Sequence, residues 1–198
     1  MTEIYAMRLD NEMNTLHIHW DALLGMVSRE KRARLLGKRV FCDAARSLAA
    51  DLLARLLIRR RAGLENSQIC FGTEPYGKPF LMGDHGQGLR FNASHSGHWV
   101  AVCIGSCENG IDVQELRNVR GHSDPEVFIS EWVRREAQLK CMGIGILGKL
   151  PENDTLHTYS FSLDSSTKAA ICAVEHGFTA TNFISLNTLV QEILHEPN

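Results

Sequence analysis

No strong excess of either charge marks this 198-residue chain: 21 basic residues stand against 23 acidic ones, a formal net charge of −2. That balance excludes a general electrostatic pull toward nucleic acid or a membrane surface. Long hydrophobic runs are missing too. The uncharged stretches fall far short of the ~20 residues that a transmembrane helix needs. Residues 1–10 alternate and carry Glu3, Arg8 and Asp10, so they read as a strand and not as a signal peptide. None of the six cysteines (Cys42, Cys70, Cys103, Cys107, Cys141, Cys172) forms a Cys-x-x-Cys pair. They are expected to be reduced, buried small hydrophobes in a cytoplasmic protein. No internal repeat stands out.

What is present is the composition of an ordinary soluble globular protein, 44% hydrophobic and 22% charged. The length fits one large domain or two small halves sharing an interface. Along the chain, residues 3–9 and 15–20 read as a hairpin with Asp10-Asn11-Glu12 near its turn. His17 and His19 then lie on a strand face, as two exposed residues rather than a metal pair. Charge concentrates next: Arg29, Lys31, Arg32, Arg34, Lys38 and Arg39 stand against the single acid Glu30. A helix is expected from about Val40 to Arg60, because Phe41, Ala45, Leu48, Leu52 and Leu56 recur at helical spacing, with Gly63 to end it. Short strands follow at 69–71, 89–92 and 99–104, separated by the Pro- and Gly-punctuated loop 73–79. A second half begins near Gly105. It has a strand at 110–114, a polar link at 118–125, a helix from about Glu126 to Met142 ended by Gly143–Gly148, strands near 156–163, 168–174 and 182–185, and a short helix at 187–194.

The chemistry concentrates in two segments. In Gly110-Ile111-Asp112-Val113-Gln114, strand alternation sends Ile111 and Val113 to one face and Asp112 and Gln114 to the other. In the helix Trp132–Lys140, four-residue spacing stacks Trp132, Glu136 and Lys140, beside an apolar row of Val133, Ala137 and Cys141. If strand and helix are neighbours, two carboxylates and an amide oxygen converge, with a lysine one turn beyond. Hard oxygen ligands of this kind suit Mg²⁺, and the lysine suits a phosphate. Each segment alone is equally an ordinary solvated element.

Four segments in one order carry a resemblance: Gly77-Lys78-Pro79, Phe91-Asn92-Ala93-Ser94-His95-Ser96, Gly110 through Gln114, and Trp132 through Lys140. The chain resembles the Sfp-type 4′-phosphopantetheinyl transferases over roughly residues 25–175. The resemblance implies an α/β (α+β) fold of two pseudo-symmetric lobes, each a small sheet packed against a long helix, here residues 1–104 and 105–198, with coenzyme A in the cleft between them. It implies transfer of the phosphopantetheine arm of coenzyme A to a serine of an acyl or peptidyl carrier protein. That transfer depends on Mg²⁺ and releases 3′,5′-ADP. Asp112 and Glu136 resemble the metal ligands, and Gln114 a weak or water-mediated one. Glu136 also resembles the group that deprotonates the serine. Lys140 resembles a contact to the coenzyme A phosphates, Ser94 and His95 the pair beside the nucleotide with His95 near the 3′-phosphate, and Gly77, Lys78 and Pro79 the adenine loop. Lys31, Arg34 and Arg46 match basic positions that meet the phosphates, although Arg46 also has Asp43 as an i−3 partner. Arg29, Arg32, Lys38 and the run Arg59–Arg61 are given no role. A monomer suffices for such a site.

Three departures stand out. Glutamine occupies position 114, where glutamate is usual in the family, so the site has one negative charge fewer. Only 17 residues separate Gln114 from Trp132, about half the family's usual spacing, and the Phe-Ser-x-x-Glu segment found there is missing. Arg135 replaces a common lysine. The first departure weakens metal binding, and the second bears on carrier recognition. The competing expectation is a non-enzymatic coenzyme A-binding protein that keeps the nucleotide cleft.

Overall fold

The structure is a computed structural model that describes residues 1–83, 88–116, 124–145, 147–150 and 155–195. The strands of the described residues are β1 (Thr2–Arg8), β2 (Phe71–Thr73), β3 (Pro79–Leu81), β4 (Arg90–Ser96), β5 (Trp99–Gly105), β6 (Asn109–Glu115), β7 (His157–Asp164), β8 (Thr167–Ala173) and β9 (Phe178–Phe183). Their α-helices are α1 (Met13–Ile18), α2 (Trp20–Gly25), α3 (Arg29–Leu36), α4 (Phe41–Ala62), α5 (Pro125–Met142) and α6 (Leu186–Leu194). The expected polar link at 118–125 lies almost entirely outside the described residues.

Two sheets stand back to back. The first has the order β4-β5-β1-β9 and the second β6-β8-β7, with β2-β3 as a separate hairpin. Every residue of β5 is buried, because the first sheet is covered on both faces. Val100, Val102 and Ile104 face the helical layer with Leu48, Leu52 and Leu53 of α4. Trp99, Ala101 and Cys103 face the second sheet through Ile111, Val113, Ala169 and Ile171. The far side of that second sheet is closed by α5, whose Ile129, Val133, Ala137 and Cys141 meet Ala170 and Cys172. The result is a four-layer stack of helix, sheet, sheet, helix, and each fully buried leucine in it contributes ~1.5–3 kcal/mol of transfer free energy. The fold class read from the sequence is the fold observed. After β8 the chain crosses back, and β9 pairs in parallel with β1 while α6 packs on the α4 layer.

Helix ends follow local chemistry. Ser28 caps α3 by accepting from the Lys31 N–H, and Asp124 caps α5 by accepting from Glu126 and Val127. Gly63 and Gly143 end α4 and α5 in the left-handed conformation, φ 66° and 65°, which glycine adopts without a Cβ penalty.

The hairpin expected at 3–9 and 15–20 is half wrong. Residues 2–8 form β1, but 13–18 and 20–25 are short helices. Leu16, Leu23 and Leu24, spaced i, i+7, i+8, are buried together, whereas Ile18 is 77% exposed. The helical period governs burial here, and the five-residue alternation Leu16-x-Ile18-x-Trp20 was too short to reveal it. His17 and His19 therefore do not share a strand face. His17 lies in α1, with its ring stacked 3.9 Å from that of Phe41. The cysteines also divide: Cys103, Cys107, Cys141 and Cys172 are buried, while Cys42 and Cys70 are exposed.

Candidate active site

The two halves meet along a seam where β4, an edge of the first sheet, lies beside β6, an edge of the second. No backbone ladder joins these strands among the described residues; side chains replace it. Asn92 Oδ1, Ser94 Oγ and Ser96 Oγ accept from the N–H groups of Ile111, Val113 and Glu115 at 3.1, 3.2 and 3.1 Å. The i, i+2 spacing on both strands makes this a zipper of three equal steps.

Helix α5 crosses the outer face of β6 very closely. A Cβ on Gly110 would lie 2.3 Å from both Ala137 O and Cys141 N. The glycine thus lets the helix backbone rest on the strand and sets Glu136 and Lys140 beside Asp112. Asp112 is buried, 7% exposed. Its Oδ1 accepts from Lys140 Nζ at 2.6 Å and from Ser94 Oγ at 3.0 Å. Lys140 also donates to Ser94 Oγ at 3.1 Å and to Ile111 O at 3.2 Å. Glu136 stands one turn back on the same helix face. Its Oε1 is fully covered and, among the described residues, without a hydrogen-bond partner. Burial, and then the neighbouring Asp112 charge, raise the Glu136 carboxyl above the usual carboxylate range. Two carboxylates, one of them with a bare buried oxygen, fit a hard divalent cation. Gln114 lies at the next outward position of β6, half-buried, and is the cross-strand partner of Lys168. Among the described residues no three acidic, histidine or cysteine side chains gather as a metal cage, which accords with a glutamine at 114.

On the other side of the seam, cations crowd together. Arg46 of α4 donates to Gly97 O at 2.8 Å in the β4–β5 turn and also pairs with Asp43. Burial, then the Arg46, Lys38 and Lys140 charges, push His95 down to about 4. Lys31 of α3 sits 3.6 Å from Asp51, and burial lowers its pKa, with Arg34 and Lys38 adding repulsion. Like charges held this close favour an anion among them. Lys38, given no role in the sequence, is exposed just after α3 and adds its charge to the field at His95 and Lys31.

Other expected residues serve elsewhere in the architecture. Lys78, 7% exposed, donates to Glu108 Oε2 at 2.5 Å and to Cys141 O at 2.7 Å near the end of α5, where a cation is favoured by the helix dipole. It ties the β2–β3 hairpin to the second half. Gly77 (φ 89°) and Pro79 shape that hairpin, with Gly77 N–H donating to Glu74 O at 2.9 Å. Ser94 is the hub of the seam: its hydroxyl donates once and accepts twice, filling its capacity. Asp51, joined to both Lys31 and the buried Arg55, and Gly110 are structural residues of the site to which the sequence pattern assigned no role. Trp132 is exposed and stacks on Phe128. Arg60 and Arg61, given no role, pair with Glu192 and Glu3 and so brace α6 and β1.

Comparison with known proteins agrees with these elements. Residues 13–107 match the family described as 4′-phosphopantetheinyl transferase, N-terminal. A 4′-phosphopantetheinyl transferase of Bacillus subtilis is 32% identical over 117 residues, 58% of this chain and 50% of that relative. The B. subtilis transferase named ffp is 26% identical over 214 residues, 89% of this chain and 94% of its own length. The transferase Sfp of B. subtilis strain 168 is 32% identical over 119 residues, 59% and 50%. The chain spans about half the length of the first and last of these and nearly all of the second. The chain is thus similar to 4′-phosphopantetheinyl transferases, through residues 13–107 in the family match and through nearly its whole length in the comparison with ffp. Among the described residues no helix is long and apolar enough to cross a membrane.

Proposed function

We propose that this protein transfers the 4′-phosphopantetheine arm of coenzyme A to a serine hydroxyl of an acyl or peptidyl carrier protein, with Mg²⁺, releasing 3′,5′-ADP. The observation that carries the proposal is the bare, buried Glu136 Oε1 beside Asp112, facing across the seam a group of cations that repel one another. A pyrophosphate ligand with a divalent cation answers both sides at once. Residues 1–104 and 105–198 then act as two lobes, with β9 and α6 crossing back onto the first, and the cofactor lies in the seam.

Asp112 and Glu136 hold the metal, with Gln114 as a weak or water-mediated contact. When bound, the metal neutralises charge developing on the pyrophosphate oxygens. Lys140 neutralises the same group from α5. His95, uncharged near neutral pH, takes a proton when the 3′-phosphate approaches. Arg46, Lys31 and Arg34 draw the remaining phosphate charge, and the loop Gly77-Lys78-Pro79 borders the adenine. Glu136 is placed to receive the proton of the attacking serine. The serine oxygen bonds to the phosphorus that carries the pantetheine arm while the bridge to the nucleotide phosphate breaks. Catalysis comes from positioning and charge neutralisation.

Glutamine at position 114, on the same face of β6 as Asp112, favours a second reading, a coenzyme A-binding protein without transfer activity. Incubation with coenzyme A, Mg²⁺ and a panel of apo carrier proteins, followed by intact mass, separates the two. A carrier gaining the mass of the phosphopantetheine arm supports transfer. No gain on any carrier, with coenzyme A still bound in calorimetry, supports the second reading.

A further inference from the structure

The amine of Lys140 has three protons and three oxygen partners: Asp112 Oδ1 at 2.6 Å, Ser94 Oγ at 3.1 Å and Ile111 O at 3.2 Å. Its donors are spent, so it cannot reach a phosphate without leaving at least one of these oxygens. Asp112 Oδ1 is equally engaged, because it takes both the lysine and the Ser94 hydroxyl. Lys140 also makes an unequal choice. Glu136 lies one turn back on its own helix, yet among the described residues Lys140 pairs with Asp112 on a different element. The Asp112 side chain is 9% exposed and that of Lys140 29%, so the pair is only weakly screened by solvent. A buried carboxylate left alone is costly, and this one is matched by an ammonium held in an all-oxygen cage.

We propose that Lys140 is a resident substitute for the divalent cation: it holds Asp112 Oδ1 while the site is empty, yields that oxygen when the metal binds, and is thereby freed to turn toward the phosphates. This rests on the metal-dependent reading above and adds an exchange step to it. Lysine and metal compete for one oxygen, so the lysine lowers the metal affinity of the free protein. Coenzyme A phosphates draw the lysine off, so cofactor and metal each promote binding of the other. The device also keeps Asp112 in place, since Ser94, Val113 N–H and Ile111 O surround the same point.

Removing the ammonium should therefore tighten metal binding in the absence of coenzyme A, although the same residue serves the cofactor. Mn²⁺ is the probe, with free ion counted by electron paramagnetic resonance on the whole chain. Lys140→Met and Lys140→Gln should each bind Mn²⁺ about tenfold more tightly than wild type, the scale of one like charge removed from a partly screened site. Lys140→Gln keeps a hydrogen-bond donor toward Asp112 and stands in should the methionine variant fail to fold. Asp112→Asn should lose Mn²⁺ binding. Lys168→Gln removes a comparable charge that does not touch Asp112, and should shift the affinity less than about threefold. Unchanged or weaker Mn²⁺ binding in both lysine variants, or an equal gain in Lys168→Gln, overturns the exchange while leaving the metal reading intact. No Mn²⁺ bound by any protein, with or without coenzyme A, overturns the metal reading and the exchange together.

Discussion

The two sides of the seam are built on opposite principles. On the α3–α4 side the charged groups are mostly basic: burial, then the Arg46, Lys38 and Lys140 charges, push His95 down, and burial lowers Lys31 despite Asp51, with Arg34 and Lys38 adding repulsion. On the α5–β6 side the buried Asp112 and half-buried Glu136 stand with Lys140, fixed by backbone contact at Gly110 and by the Ser94 hub. The first arrangement gives attraction at a distance with loose geometry, and the second gives geometry. Substitutions on the acidic side should therefore change rate and order, and those on the basic side affinity and its dependence on salt and pH.

The largest effects belong to the acidic side. Asp112→Ala and Glu136→Ala should each reduce single-turnover transfer by about 10²–10³-fold, the scale of losing one preorganised electrostatic group, with the circular dichroism spectrum retained. Transfer at the wild-type rate in either variant contradicts the contrast. Gly110→Ala comes next, because its new Cβ meets helix backbone rather than a flexible side chain. Unfolding stability should drop by at least ~3 kcal/mol, the upper range for overpacking, seen in denaturant melts. A neutral result means α5 can lift off β6 and that the site is not held as tightly as Gly110 implies.

On the basic side, His95 sets a pH dependence. The folded protein holds this imidazole at about 4, against 6.5 for the free side chain. Between those values the unfolded state binds more protons. Stability is therefore lost as pH falls from about 6.5 toward 4 and is flat above and below, an effect of up to ~3 kcal/mol. His95→Gln should flatten that part of the stability profile, and an unchanged slope places its origin elsewhere. The smallest effect concerns Lys31. Lys31→Ala should weaken coenzyme A binding about three- to tenfold in low salt and less at ~0.5 M salt, where screening is short-ranged. A deficit that stays constant with salt makes Lys31 a packing residue rather than part of the attraction.

The same contrast explains what the sequence disclosed. Both long helices were legible, because α4 and α5 keep their period for many turns and end at glycines. The acidic pair was legible too, since strand alternation and i+4 spacing are local rules. The short helices at 13–25 were not, because six residues satisfy a strand pattern and a helix pattern equally well. Nor were the roles of Gly110, Ser94 and Lys78, which depend on what the tertiary fold brings against them: a helix backbone, a second strand and a helix terminus. Lys168, cross-strand from Gln114, could be found only from the register of β6 with β8.

The polarity of the seam can be read on the ligand itself. Phosphorus resonances of bound coenzyme A report on each phosphate separately, and Mn²⁺ broadens those nearest to it. With the metal held by Asp112 and Glu136 and the 3′-phosphate near His95, sub-stoichiometric Mn²⁺ should broaden the pyrophosphate signals well before the 3′-phosphate signal. Equal broadening of all three phosphates, or broadening of the 3′-phosphate first, would contradict the assignment of metal to one side of the seam and nucleotide charge to the other.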